Sequence, residues 1–310
     1  MHQYLRSIGF SQYKKEQDID DLLSGLEQQY YDCARRYADE NDEMHIEIRA
    51  NVAGAMGLCI TGIIDRDGNF KRQDYYPYLI SKDISTTASA QAFRRIDGRQ
   101  YSALLEDPRV GVTLIFLLDN SIDYLQRIGL NNTPKTSQTA LTAFSTNGRV
   151  ILPATLRSSE KRNAEENDTE SQDPKKPENS SPIANNIPSA LDVFEAARAG
   201  NTAAIEQVAF EEMSAIAKVS RRLQSEDIYS IVESVFMPQG VECDLYQIVG
   251  EIIDVAHTAN LYTGEGIYDL TINVNDMIMH VATNEADLEG EPLPGRRFKG
   301  RIWLLGRMEF

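Results

Sequence analysis

Between Arg157 and Pro188 the chain reads SSEKRNAEENDTESQDPKKPENSSPIANNIP, dense in Ser, Asn, Glu, Lys and Pro and almost free of large apolar residues. Such a stretch cannot bury enough surface to offset the entropy of ordering it, so it is expected to be a flexible linker. Its charges are mixed in sign, which predicts neither a stiffly extended spacer nor a specific tail. The 310 residues, at roughly 100 to 200 per domain, suit about two folded parts on either side of it. The expected organisation is an N-terminal α+β domain at 1–156, a disordered linker at 157–188, and a C-terminal part at 189–310. The last begins with short helices and ends in a small antiparallel β-barrel or sandwich. The fold class expected is therefore α+β.

The N-terminal pattern opens on a helix. Ile19, Leu22, Leu23, Leu26, Tyr30, Cys33 and Tyr37 recur at spacings of three and four, which places Cys33 on a core stripe. From Met44 the period becomes two: Met44, Ile46, Ile48 and Ala50 alternate with His45, Glu47 and Arg49, as in a strand with one polar face. A second alternating run, Leu58 to Ile64, meets Asp65-Arg66-Asp67-Gly68, a hairpin turn, and predicts a return strand from Phe70 to Tyr78. Gly111 to Leu118 reads as a strand buried on both faces, and Asp119 or Asn120 caps a helix carrying Ile122, Leu125 and Ile128. Ala140–Ser145 and Arg149–Leu152 flank Asn147-Gly148 and read as a closing hairpin.

Beyond the linker, residues 190–210 read as two short helices around Gly200-Asn201, with a third through Met213 and Leu223. Residues 228–237 fit either helix or strand. Ile248–Val255, Tyr268–Val274, Met277–Ala282 and Arg301–Phe310 read as strands.

Charge is sorted along this second half. Fourteen Asp and Glu and no Lys or Arg lie between Glu226 and Glu291; Arg296, Arg297, Lys299, Arg301 and Arg307 then crowd the end. Opposite-charge pairing within the sheet accounts for such sorting at a few tenths to ~1 kcal/mol per pair. A basic strand that takes a phosphate or carboxylate is the functional alternative. The candidate ligand- or partner-binding residues are Arg296, Arg297, Lys299, Arg301 and Trp303.

No other chemistry declares itself. Cys243, His257 and His280 have metal-ligand types without the two-to-five-residue spacing of structural zinc sites, so no metal is expected. There is no G-x-S-x-G elbow, no P-loop and no G-x-G-x-x-G, and Cys59 on a strand reads as packing; no catalytic residue and no cofactor are expected. A net charge of -16 argues against a sequence-independent grip on nucleic acid or anionic lipid. The run Val112–Leu118 is far short of the ~20 residues of a membrane span. Three widely spaced cysteines suit reduced thiols. A cytoplasmic location is expected.

The opening MHQYLRSIGFS and the segments EDIYSIVESVFMPQGVECDLYQIVGEI, TGEGIYDL and GEPLPGRRFKGRIWLLGRMEF resemble a family of cytoplasmic proteins from anaerobic Gram-positive bacteria, classed as a domain of unknown function. The resemblance covers most of the chain outside the linker. It implies a two-part cytosolic protein and no mechanism.

The function expected is a non-catalytic binding or regulatory protein with two tethered recognition modules, its partner an unknown protein. The alternatives are a sensor of a small anionic ligand held by the basic strand, and an enzyme of unrecognised type joining His257 or His280 to a carboxylate and Cys243. An unpaired strand edge would favour a homodimer.

Overall fold

The computed structural model describes residues 2–39, 42–95, 100–129, 136–153, 234–240 and 243–310. They belong to one compact unit formed by Met1–Pro153 and Glu233–Phe310. The expected linker and the expected helices between 190 and 223 lie outside the described residues, as do residues 228–233.

The chain enters through α1 (His2–Leu5), a 3-10 turn at Arg6–Ile8, and α2 (Glu16–Tyr30). Ile19, Leu23 and Leu26 of α2 are buried, the i, i+4, i+7 stripe of an amphipathic helix. The helix ends earlier than its periodicity predicts. Residues 31–33 tighten into a 3-10 turn, Ala34 is extended, and Tyr37 joins β1 (Arg35–Ala38), opposite His45 of β2 (Met44–Ala53). A ladder with β2 outweighs one more helical turn here, and Cys33 is exposed.

β1, β2, β3 (Met56–Ile64) and β4 (Phe70–Leu79) form an antiparallel four-stranded meander in chain order. The turn between β3 and β4 is closed by Asp65 N donating to Asn69 O at 2.9 Å, with Gly68 at φ 83°. One face pairs Ile48 with Ile60 and Ala50 with Leu58, and these join the α2 stripe in one core. The other face is not the solvated one that alternation predicts. Glu47 is 1% exposed, and Arg49 reaches Asp119 at 3.0 Å.

The remaining strands are β5 (Thr86–Arg94), β6 (Tyr101–Glu106), β7 (Thr113–Leu118), β8 (Thr136–Ser145), β9 (Gly148–Ile151), β10 (Val235–Pro238), β11 (Leu245–Ala259), β12 (Gly266–Val274), β13 (Met277–Asn284), β14 (Leu288–Glu289) and β15 (Arg297–Met308), with α3 (Ser121–Gly129) after β7. They make one mixed eleven-stranded sheet, ordered β10-β11-β12-β13-β8-β5-β6-β7-β15-β9-β14, with further ladders β11–β15 and β8–β15. The pairings therefore run in two closed circuits, β11–β12–β13–β8–β15 and β8–β5–β6–β7–β15, sharing the β8–β15 ladder.

This corrects the expected α+β class. The described residues are 56% strand and 16% helix, and the chain is a mostly β protein. Nor do the C-terminal strands form a small antiparallel barrel or sandwich of their own. β13 pairs in parallel with β8, and β15 pairs with β7, β8 and β9, so they complete a sheet whose other strands precede residue 153. Periodicity identifies a strand and says nothing of its partner. The physical demand is visible in β15: Phe298, Ile302 and Leu304 enter one core, while Trp303 and Leu305 enter another. A strand apolar on both faces needs cover on both. The Asn147-Gly148 turn is also not a hairpin. β8 and β9 run on as two pieces of one course, both antiparallel to β15.

Candidate functional site

Positions 297, 299, 301 and 303 of β15 share one face by the two-residue period of a strand. Across the ladders, Lys299 lies between Arg149 of β9 and Val249 of β11, Arg301 opposite Gln247, Arg297 between Ile151 and Glu251, and Trp303 opposite Leu245. Arg149 and Lys299 are thus like charges directly opposite, an arrangement that destabilises a ladder unless an anion offsets it. Glu289 takes part of that role, at 2.6 Å from Arg149.

These side chains border a cleft of 640 Å³, whose lining includes Arg149, Lys299, Arg301, Gln247, Asn147 and Tyr4. Arg301 makes no ion pair among the described residues. Burial pushes the Tyr4 hydroxyl above its ordinary pKa, Asp244 adding to the shift and Arg301 opposing it. The floor is set by two glycines. Gly148 and Gly300 pair across the ladder, and a Cβ on either would come within 2.5 or 2.6 Å of the Phe298 ring. Phe298 fills the core beneath them, so this part of the GRRFKG run serves packing.

Of the five residues singled out in the sequence, the structure brings Lys299 and Arg301 to the cleft. Arg296 is drawn to Glu291, donating to its carbonyl at 2.7 Å. Arg297 is 4% exposed and donates through Nε to Leu152 O at 2.8 Å, a structural role. Trp303 is also 4% exposed and lies behind Tyr4, with ring centroids 5.1 Å apart. Arg149, Gln247 and Tyr4 also line the cleft, and no charge or spacing pattern in the sequence singles them out. Arg149 follows the Asn147-Gly148 turn, and only its pairing with β15 shows its importance.

The N-terminal motif is latched beside this cleft. Asn260, 2% exposed, donates to Ile8 O at 2.7 Å and accepts from Tyr262 N and Thr263 N at 2.8 and 3.1 Å. Thr263 donates to Gly9 O at 2.6 Å, and Glu265 accepts from Ser11 Oγ at 2.8 Å. The MHQYLRSIGFS and TGEGIYDL motifs are two halves of one contact.

The histidines and the thiol of the enzyme alternative are engaged separately, Cys243 Sγ lying 3.6 Å from Leu245 O. His280 sits between Asp269 and Asp83, each at 2.9 Å, and His257 is 3.1 Å from Glu285. Cys59 is fully buried, and that burial pushes its thiol well above its ordinary pKa. Asp39, Glu43 and His45 gather at the β1–β2 hairpin with donor atoms within 4.8 Å of one another. His45 is 3.5 Å from Asp39 and 3.8 Å from Glu43, the separations of ion pairs.

A family model described as "Domain of unknown function, E. rectale Gene description (DUF3881)" matches residues 5–306. The chain belongs to this family. No curated protein and no solved structure matches it. The DUF3881 match takes in Tyr262–Leu270, Arg297–Gly306 and most of the N-terminal motif, the stretches that meet at the cleft and its latch. Among the described residues, no helix of this DUF3881 chain is long and apolar enough to cross a membrane.

Proposed function

We propose that this chain is a non-catalytic binding protein for a small molecule bearing a phosphate or carboxylate, held in the cleft between β9, β11 and β15. The observation that carries this reading is the directly opposed pair Arg149 and Lys299, with Arg301 one step along β15, in a chain of net charge -16. Three cations line this concave patch of an acidic protein beside one carboxylate, Glu289, and such a concentration of positive charge lowers the barrier to an anion there. A volume of 640 Å³ falls within the roughly 300–1,000 Å³ of small-molecule sites and favours a small ligand over a protein surface. We place the protein in the cytosol of an anaerobic Gram-positive bacterium, as the motif resemblance implies. Three free cysteines support a reducing compartment.

Native mass spectrometry of the full chain, purified gently from its own host, tests the reading. The expected result is an excess mass belonging to an anionic metabolite, absent from the Lys299→Glu/Arg301→Glu variant. A bare mass, with no thermal shift from millimolar phosphate or carboxylate compounds, overturns it.

A further inference from the structure

The far half of β11 has an open edge. β15 and its lead-in cover that side of the strand only as far as Ile252, whose N donates to Arg296 O at 2.8 Å and whose carbonyl accepts from Gly295 N at 2.9 Å. Beyond it β11 pairs with β12 alone, from Asp254 opposite Thr271 to Ala259 opposite Gly266. Asn260 N donates to Glu265 O at 2.9 Å, and bonded and unbonded pairs alternate along an antiparallel ladder. Asp254, Ala256 and Thr258 therefore bond to β12, while Val255, His257 and Ala259 turn their N–H and C=O groups the other way. Among the described residues nothing pairs with those groups, and Asp254, Ala256, His257 and Ala259 are exposed. Other edges of the molecule are blunted or capped. β4, the outer strand of the meander, carries Lys71, Arg72 and Pro77, which discourage pairing. Tyr124 donates to Ala92 O of β5 at 2.8 Å, and Tyr246 to Ile115 O of β7 at 3.1 Å. Residues 253–259, IDVAHTA, have no Lys and no Pro.

We infer that this edge takes an extended peptide carrying Lys or Arg, which adds to β11 as a further strand between Ile252 and Leu261. The backbone of Val255, His257 and Ala259 supplies the pairing, and the carboxylates around it select the sequence. Asp254 is exposed on the strand itself, and Glu285 lies 3.1 Å from His257. Burial, Glu285 and Glu291 together push the hydroxyl of Tyr268, directly opposite His257, above its ordinary pKa, which sets both carboxylates beside the edge. No Lys or Arg occurs between Glu226 and Glu291, and Arg296, at the near end, is 3.7 Å from Glu291. Leu261 N donates to Val52 O at 2.8 Å and closes the far end, so the slot suits a strand of about five residues. A second copy is the poorer occupant, because two-fold pairing would set this acidic rim against itself in a chain of net charge -16.

Residue-resolved amide exchange of the full chain tests the inference, with two seven-residue peptides titrated in, one alternating Lys with Val and the other Glu with Val. The Lys peptide is expected to protect the amides of Val255, His257 and Ala259, while those of Asp254, Ala256 and Thr258, already bonded to β12, stay as they are. The Glu peptide is expected to leave all six unchanged. His257→Pro removes a donor from the open edge and none from the β12 ladder, and should weaken the Lys peptide at least ~10-fold. Asp254→Lys/Glu285→Lys keeps every backbone group and should abolish the preference for the Lys peptide. Equal protection by both peptides overturns the basic partner, and no change at the three amides overturns strand addition. A dimer in sedimentation that His257→Pro dissociates overturns the peptide in favour of a second copy. The exchange comparison uses the unmodified protein, so it holds even if His257→Pro does not fold.

Discussion

Tyr4 stacks on Trp303 with ring centroids 5.1 Å apart and an interplanar angle of 27°, joining the first helix of the chain to its last strand. Trp303 is the chain's single tryptophan and also packs against Phe144 at 6.4 Å. Removing a buried tryptophan leaves a cavity, and Trp303→Ala is expected to cost about 3–5 kcal/mol. Tyr4→Ala is expected to shift Trp303 fluorescence to longer wavelength in the native state and to lower the urea midpoint, while Tyr4→Phe does neither. Unchanged emission in Tyr4→Ala would show that the stack is not what shields the indole.

The latch at Asn260 sets a second expectation. Its buried amide holds Ile8 O, Tyr262 N and Thr263 N, so Asn260→Ala leaves three backbone groups short of a partner, at about 1–3 kcal/mol for a buried orphan. Gly9 has φ 85°, and a Cβ there would come within 2.7 Å of Asn260 Cβ. Gly9→Ala is therefore expected to be at least as damaging. Hydrogen exchange should show the amides of residues 5–10 losing protection in both variants while β11 keeps its own. Protection unchanged throughout would mean that the N-terminal segment is held by its apolar contacts alone.

The parts of this fold that were legible in the sequence are those where the deciding interactions are local. Met44 to Tyr78 alternates cleanly around an Asp-Gly turn, and β2, β3 and β4 form there. β5 carries no strand signal in the sequence, because its buried residues include Ala90 and Ala92, small residues with little strand preference. Tyr37 keeps the helical spacing of α2, yet its pairing with His45 is a tertiary contact that helical spacing cannot report. The site shows the same division. Lys299 and Arg301 stood out as charges on an alternating strand, whereas Arg149 is recognisable only from its register with β15. Trp303 belongs with the basic closing strand in the sequence, but its burial against Tyr4 and Phe144 makes it core.

Thiol reactivity provides a check on the meander. Cys33 is exposed, Cys243 is partly buried with its thiol 3.6 Å from Leu245 O, and Cys59 is fully buried with its ionisation suppressed by that burial. The thiolate is the reactive form, so a maleimide at pH 8 should modify Cys33 first, Cys243 more slowly, and Cys59 only in denaturant. Peptide mass spectrometry over a time course measures this order. Labelling of Cys59 in native buffer at the rate of Cys33 would mean that β3 opens to solvent.

His280 makes the stability of the protein depend on pH. Its Nδ1 lies 2.9 Å from Asp269 and its Nε2 lies 2.9 Å from Asp83, which falls between β4 and β5 where the chain passes from one sheet to the other. Burial opposes the imidazolium, but the hydrogen bonds and charges of Asp269 and Asp83 outweigh it and raise the pKa from 6.5 to about 9. Because the folded value exceeds the unfolded one, the stabilisation is fully present below pH 6.5 and is lost as the pH rises through about 9. At ~1.4 kcal/mol per unit, discounted because Asp83 is half exposed, the loss is expected to be about 1–3 kcal/mol. Urea midpoints at pH 6 and pH 9.5 should fall with rising pH in the unmodified protein, whereas His280→Gln should start lower and change little. Parallel pH profiles for the two proteins would show that His280 does not clamp β12 and β13 to the segment that joins the sheets.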